Sequence, residues 1–489
     1  MRVPVLLTLL LGAPFPTLAQ TASAPPANAE QHTVQQRIEA VISGLRGAVA
    51  IKGAPPATRT LSDEMTAKHV PGVAIAVIKG GKVDWARGFG TTRDGGEPVT
   101  ADTLFQAGSV SKPVAAVTAL ALVQDGSLSL DTNVNATLKS WKLPENGFTA
   151  TTPVTLRALL SHTAGTTVHG FWGYDAGSPV PTLTQVLRGA APANSDPVLV
   201  DQAVGSAFRY SGGGYLVMQQ MAIDATGKSF PALVRAKLFE PLGMTRSSED
   251  QPLDAARLAK GTAWPHDLKG VAVAGGPHVH PETAAAGLWT TAPELARFVT
   301  DLRAAAIGEK GHVLTPETAR LMLTPVKDDF GLGLWVQGAT AEKYFYHDGS
   351  NAGYKAVFLS YLQSGDGVVV LTNGDGGSQL GEEILRAVAV EYGWPDYQPV
   401  ERATVVMPVA EQEKFIGTFK VEWPGEFIIR RDGDQLVAEI RKVVEPLLPD
   451  SANSFFLASR GMQLSFSDPD HGFLTLGDYK GAFERTSAK

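Results

Sequence analysis

The run GVAIAVIKGGKVDWARGFG, residues 72–90, sets two β-rich stretches around Gly80-Gly81, a pair that tolerates the positive φ of a tight hairpin turn. The next strand-length stretches are DDFGLGLWVQ from 328, YFYHDGSNAGYKAVFLSYLQ from 344 and GDGVVVLTNGD from 365, joined by Gly and Asp turns. Between them the sequence is helical and turn-rich, and SQLGEEILRAVAVEYGW closes the segment as a helix. One sheet must therefore gather strands from both ends of a long stretch of chain, which predicts an α+β domain.

Length supports this division. At 489 residues and 44% hydrophobic the chain exceeds what one core fills, since cores stop growing near about 250–300 residues. The boundaries expected are a signal peptide at 1–19, a linker and amphipathic helix (Val34 to Leu45) within 20–57, and the α+β domain at 58–395. A Pro-containing linker at 396–409 and a small all-β barrel or sandwich at 410–489, with an Asp432-Gly433 turn, complete the chain. Further helices are expected in SKPVAAVTALALVQDG (111–126), TLRALLSHTAG (155–165), Gly214 to Ala225 and Pro231 to Leu238.

The leader MRVPVLLTLLLGAPFPTLA has a basic start at Arg2, an apolar run from Val3 to Leu11, and small residues Thr17 and Ala19. The run falls short of the roughly 20 residues a spanning helix needs, so export to the periplasm is expected, with no integral membrane segment after removal. The chain has no cysteine, which excludes disulfides, c-type haem and a thiolate nucleophile. A net charge of −7 without a long run of like charge suggests neither nucleic-acid nor polybasic membrane binding. A small-molecule or cell-envelope substrate is the partner expected, without cofactor.

In QAGSVSKPVAAV, Ser109 and Lys112 stand three apart, one helical turn, so a lysine amine can face a serine hydroxyl. The lysine has small apolar neighbours instead of acids, which favours loss of its proton and a role as base. If Ser109 opens the helix, its backbone N–H also lies at the positive end of the dipole, where it could hold an oxyanion. Helix cap and solvated lysine is the competing reading. Tyr210 precedes a glycine cluster in FRYSGGGY, from which a phenol could reach a cleft. Gly349, in YFYHDGSNAGY, would let a substrate backbone lie close to a strand.

Ser109-x-x-Lys112, Tyr210-Ser211-Gly212 and His347-Asp348-Gly349, in that order, resemble the three motifs of the serine β-lactamase-like and penicillin-binding-protein-like hydrolases, in particular the class C β-lactamase and esterase branch. PGVAIAVIKGGKV, LLSHTAG, EPLGM and AAAGLWTTAPELARF resemble the same family. The resemblance implies a β-lactamase/transpeptidase-like fold, an antiparallel sheet flanked by helices plus an all-helical lobe, with a lipocalin-like C-terminal domain. It also implies that Ser109 is acylated, that Lys112 takes its proton, and that Tyr210 is the second acid/base. By the same resemblance the backbone amides of Ser109 and Ser350 form the oxyanion hole, and His347 stands in the catalytic set where lysine is frequent. Two departures mark this chain: Gly212 replaces the asparagine usual in the second motif, and His347 replaces the lysine that meets a β-lactam carboxylate.

Other features carry two readings each. The cluster Phe171, Trp172 and Tyr174 could stack on a substrate or pin a long loop, with Trp172 expected at the substrate; Trp289 is placed there too. His278 and His280, two apart in HVHPE with Glu282 nearby, could form half a metal site but share one strand face without a third ligand in sequence, and no metal is expected. His162 reads as a helix-end hydrogen-bonding residue. No serine has the Gly-x-Ser-x-Gly setting of an α/β-hydrolase elbow. The expected function is an exported esterase-like serine hydrolase acting on an ester or related acyl group of the cell envelope. The alternatives are a D,D-peptidase or D-amino-acid peptidase, a weak β-lactamase, and an inactive binding protein of the same fold.

Overall fold

The computed structural model describes residues 32–309, 313–339, 341–477 and 479–487; the expected leader lies outside them. The hairpin of the opening run is β1 (Gly72–Lys79) and β2 (Lys82–Gly90), and the late strands are β3 (Trp335–Ala339), β4 (Glu342–Asn351), β5 (Tyr354–Tyr361) and β6 (Gly367–Thr372). They form one antiparallel sheet in the order β2-β1-β6-β5-β4-β3, so the first strand pairs with the last across the whole domain. The continuous apolar run of β1 follows from this central position, because both its faces are buried.

Helices cover both faces. α1 (Val34–Ser43) and α6 (Gly377–Tyr392) lie on one side, where Ile38, Val41, Ile384 and Val388 pack on Val73, Ile75, Val77 and Val370. On the other, α5 (Ala292–Ile307) sets Phe298, Val299 and Leu302 on Ala74, Ala76, Val369 and Leu371. The two sets alternate along β1, as the period of a strand requires.

The helical lobe is built around α2 (Ser111–Gln124) and α3 (Gly212–Thr226), both mostly apolar and buried along most of their length. α3 begins two residues before the expected Gly214, because Ser211 Oγ accepts the Gly214 N–H at 3.0 Å and caps the helix. The helix expected over Pro231 to Leu238 is Phe230–Val234 followed by a wider π-helical turn, Arg235–Phe239. In DDFGLGLWVQ only Trp335 onward is strand, since Asp328 and Asp329 take left-handed φ values of 47° and 59°.

The C-terminal domain is a nine-stranded antiparallel sheet from Gly417 to Ser487. Its edge strands Val443–Pro446 and Leu448–Ser451 are adjacent in sequence but unpaired, leaving a nearly closed barrel around Phe419, Phe427, Phe455, Phe466 and Phe483. Val49–Ile51 runs parallel to Val400–Arg402, and the Ala48 and Val49 amides donate to the carbonyls of Ser459 and Ala458. The N-terminal segment thus joins the two domains.

Asp224 on α3 anchors the helical lobe. Burial raises its pKa, but hydrogen bonds from the Lys139 and Ser140 amides, the Ser140 hydroxyl and Gln220 outweigh this and lower it. A depressed carboxylate stabilises the fold above its unfolded pKa, near about 4, and loses that contribution as pH falls through the folded value. Asp224→Ala leaves four donors unpaired and should destabilise the domain by roughly 2–4 kcal/mol in denaturant melts at pH 7, with a smaller deficit near pH 3.

Candidate active site

Ser109 lies in a tight 3-10 turn, Gly108–Val110, that leads directly into α2; it is not the helix cap. The turn presses against β4 through two glycines. Gly108 has a φ of 52°, and a Cβ there would lie 2.6 Å from the Ser350 amide nitrogen. A Cβ on Gly349 would meet the Ala107 carbonyl oxygen at 2.0 Å and the Ser109 nitrogen at 2.9 Å. Only glycines allow this approach, which brings the backbone amides of Ser109 and Ser350 together. Ser111 secures the turn by donating to the Gly108 carbonyl at 2.6 Å and accepting from the Leu288 amide at 2.9 Å.

Lys112 is 1% exposed, and its Nζ donates to Ser109 Oγ at 2.9 Å and to the Ala285 carbonyl at 3.0 Å. Burial pushes its pKa down to about 7, against a weaker upward pull from Asp348. The amine therefore has a substantial neutral fraction at neutral pH. Tyr210, whose ring centroid is 4.9 Å from Nζ, is hydrogen-bonded to Ser109, and burial raises its pKa so that the phenol keeps its proton. The environment thus separates a deprotonatable amine from a protonated phenol on one hydroxyl.

Supporting groups come from several elements. His162, with a φ of 57°, accepts the Ser211 N–H on Nδ1 at 3.0 Å and packs its ring 4.3 Å from Tyr210. Burial holds it far below the usual imidazole range, so it is a neutral support. The short helix α4 (Thr283–Ala286) turns two carbonyls toward the site. Ala285 receives Lys112, while Ala286 receives Asn351 Nδ2 at 3.0 Å, which also donates to Gln106 Oε1 at 2.8 Å.

These groups border a cavity of about 460 Å³ lined by Ser109, Lys112, Tyr210, Gly349 and Ser350. His169, Phe171, Trp335, Asp348 and Asn351 complete much of its wall. Three expected residues do not line the cavity. His347 is buried behind the site, its ring centroid 6.2 Å from that of Tyr210, on the strand face that Gly349 turns to Ser109; its Nδ1 donates to the Asp348 carbonyl. Its charged form is disfavoured by burial, Lys112 adding to the effect. Trp289 is 1% exposed in the strand pair Trp289–Thr290 with Phe105–Gln106, packed edge-on to Tyr354, and serves the core. Trp172 is 81% exposed and outside the cavity lining.

Of the cluster Phe171, Trp172 and Tyr174, only Phe171 lines the cavity, and Tyr174 is buried. His278 pins this loop through Asp175 at 3.1 Å and the Trp172 carbonyl at 2.9 Å, while Glu282 opens α4. His169 and Trp335 had no signal as site residues: one precedes the aromatic cluster, the other was an ordinary strand position.

The profile of the Beta-lactamase family matches residues 57–392. The chain belongs to that family. It is similar to "Penicillin-binding protein 4" of Amycolatopsis lactamdurans, 33% identical over 37% of this chain and 45% of that one. Esterase EstB of Burkholderia gladioli is 29% identical over 36% of this chain and 46% of its own. The chain thus spans about half the length of these two beta-lactamase-family relatives. The penicillin-binding protein homologue from Pyrococcus abyssi has the same fold, with a TM-score of 0.58 and 24% identity over 86% of this chain and 98% of that one.

At the second motif, a Cβ on Gly212 would lie 2.9 Å from Phe171 Cε2 and 3.2 Å from the His169 carbonyl oxygen. The loop fills the space an asparagine would need. Gly212→Asn should therefore displace His169 and Phe171 and lower ester turnover several-fold, with any β-lactam hydrolysis unimproved, as steady-state assays would show. If Lys112 is the base, kcat/KM should fall tenfold per pH unit on the acid side of about 7, and Lys112→Met should cost about 10²–10⁴-fold. The lowered lysine pKa also means that folding works against protonation: the cost is full below about pH 7 and fades toward the unfolded value near 10.4. Lys112→Met should consequently melt at a higher temperature than the wild type, most clearly at or below pH 7.

Proposed function

We propose that the protein is an exported serine hydrolase of esterase type that acylates Ser109. The observation that carries this reading is the buried Lys112 amine, 2.9 Å from Ser109 Oγ and drawn toward its neutral form. Neutral Lys112 takes the Ser109 proton as Oγ attacks the substrate carbonyl. The tetrahedral oxyanion is held by the amides of Ser109 and Ser350. Tyr210 gives its proton to the leaving group and is reprotonated through Lys112, leaving an acyl ester on Ser109. A water molecule then attacks that ester, with the same groups moving protons in reverse.

The similarity to an esterase supports ester substrates. The uncharged His347 and the filled space at Gly212 both speak against strong recognition of a β-lactam carboxylate. Cell-envelope esters are the substrate class this reading favours, with the leader at 1–19 removed on export to the periplasm.

Incubation of the mature protein with a fluorophosphonate should give one covalent adduct, mapped by mass spectrometry to Ser109, and none in Ser109→Ala. A folded wild type that takes up no label and turns over no activated ester would leave the inactive binding-protein reading in its place.

A further inference from the structure

The cavity wall carries one carboxylate, and nothing in the proposed chemistry uses it. Asp348 follows the buried His347 on β4 and is exposed, in the stretch beyond the β3 pairing where Gly349, Ser350 and Asn351 also line the cavity. Among the described residues its carboxylate has no ion pair or side-chain hydrogen bond. The cavity lining holds no arginine, and its two basic side chains, Lys112 and His169, are both held toward neutrality, chiefly by burial. Asp348 is thus the uncompensated charge of the site, and its field reaches Lys112, Tyr210 and His347.

The rest of the wall suits a cation. Phe171, Tyr210 and Trp335 line the cavity, and their ring faces attract positive charge once water is displaced. The same arrangement is unfavourable to an anion, which would meet Asp348 without a basic group to offset it. We propose that Asp348 selects substrates bearing a positive charge, an ammonium or substituted amine, on the ester or amide that Ser109 attacks. This rests on the hydrolase reading and names its substrate class: an amine-bearing acyl compound is bound, and one with a carboxylate in that place is rejected. Asp348 is a specificity residue and takes no part in the proton transfers.

The test uses 4-nitrophenyl esters whose acyl chains end in a trimethylammonium, a tert-butyl or a carboxylate group, and a second set of phenyl acetates carrying the same three groups on the leaving phenol. In at least one set, kcat/KM for the cation should exceed that for the neutral isostere by about tenfold, and the anion should be slowest. The preference should shrink as sodium chloride is raised from 20 mM to 500 mM (assay settings). It should vanish in Asp348→Asn and return in Asp348→Glu. Cation and neutral rates equal in both sets, or a preference that survives in Asp348→Asn, would overturn the proposal. If Asp348→Asn is inactive on every ester, the wild-type salt dependence and Asp348→Glu decide. Absence of turnover on all esters together with no label at Ser109 would instead defeat the hydrolase reading, and this proposal with it.

Discussion

Everything at the site depends on keeping one lysine out of water. Lys112 lies in the first turn of a helix whose neighbours are Ala, Val and Leu, under two aromatic rings, with a serine oxygen and a backbone carbonyl as its hydrogen-bond partners. A charged ammonium in such a place is costly, so the neutral amine is favoured at a pH where a solvated lysine stays protonated. The rest of the domain serves this burial. The sheet supplies a strand edge that the Ser109 turn can touch through Gly108 and Gly349, and α4 turns the carbonyl of Ala285 toward Nζ. Tyr210 closes the cage while its own burial keeps its proton on.

Much of this was legible in the sequence because it rests on local patterns. The i to i+3 spacing of Ser109 and Lys112, the apolar helix that follows, and the hairpin glycines each fix structure within a few residues. The order of three motifs along the chain located Tyr210 and the β4 edge at a distance. The family assignment, the α+β sheet built from both ends and the C-terminal β-domain all followed from the same reading.

What escaped depends on side-chain direction. His347 and Asp348 are neighbours on one strand, and only the phase of β4 decides that the histidine is buried behind Tyr210 and the aspartate exposed at the cavity wall. Trp289 and Trp172 look alike as aromatic candidates, yet one is in a strand pair beneath Tyr354 and the other stands in solvent on a loop pinned by His278. Gly212 read as a lost hydrogen-bonding group. The structure gives the reason a side chain is absent there, since Phe171 and the His169 carbonyl occupy its place. That relation spans 41 to 43 positions of sequence and has no periodic signature.

Activation of Ser109 stands or falls on the protonation state of Lys112. The most direct measurement is an NMR titration of protein carrying ¹³C at the lysine ε-carbon, with the Lys112 resonance assigned by comparison with Lys112→Met. A midpoint near pH 7 is the predicted result. A midpoint near the ordinary lysine value of about 10.4 would mean that the amine is charged beside Ser109 and cannot act as its base.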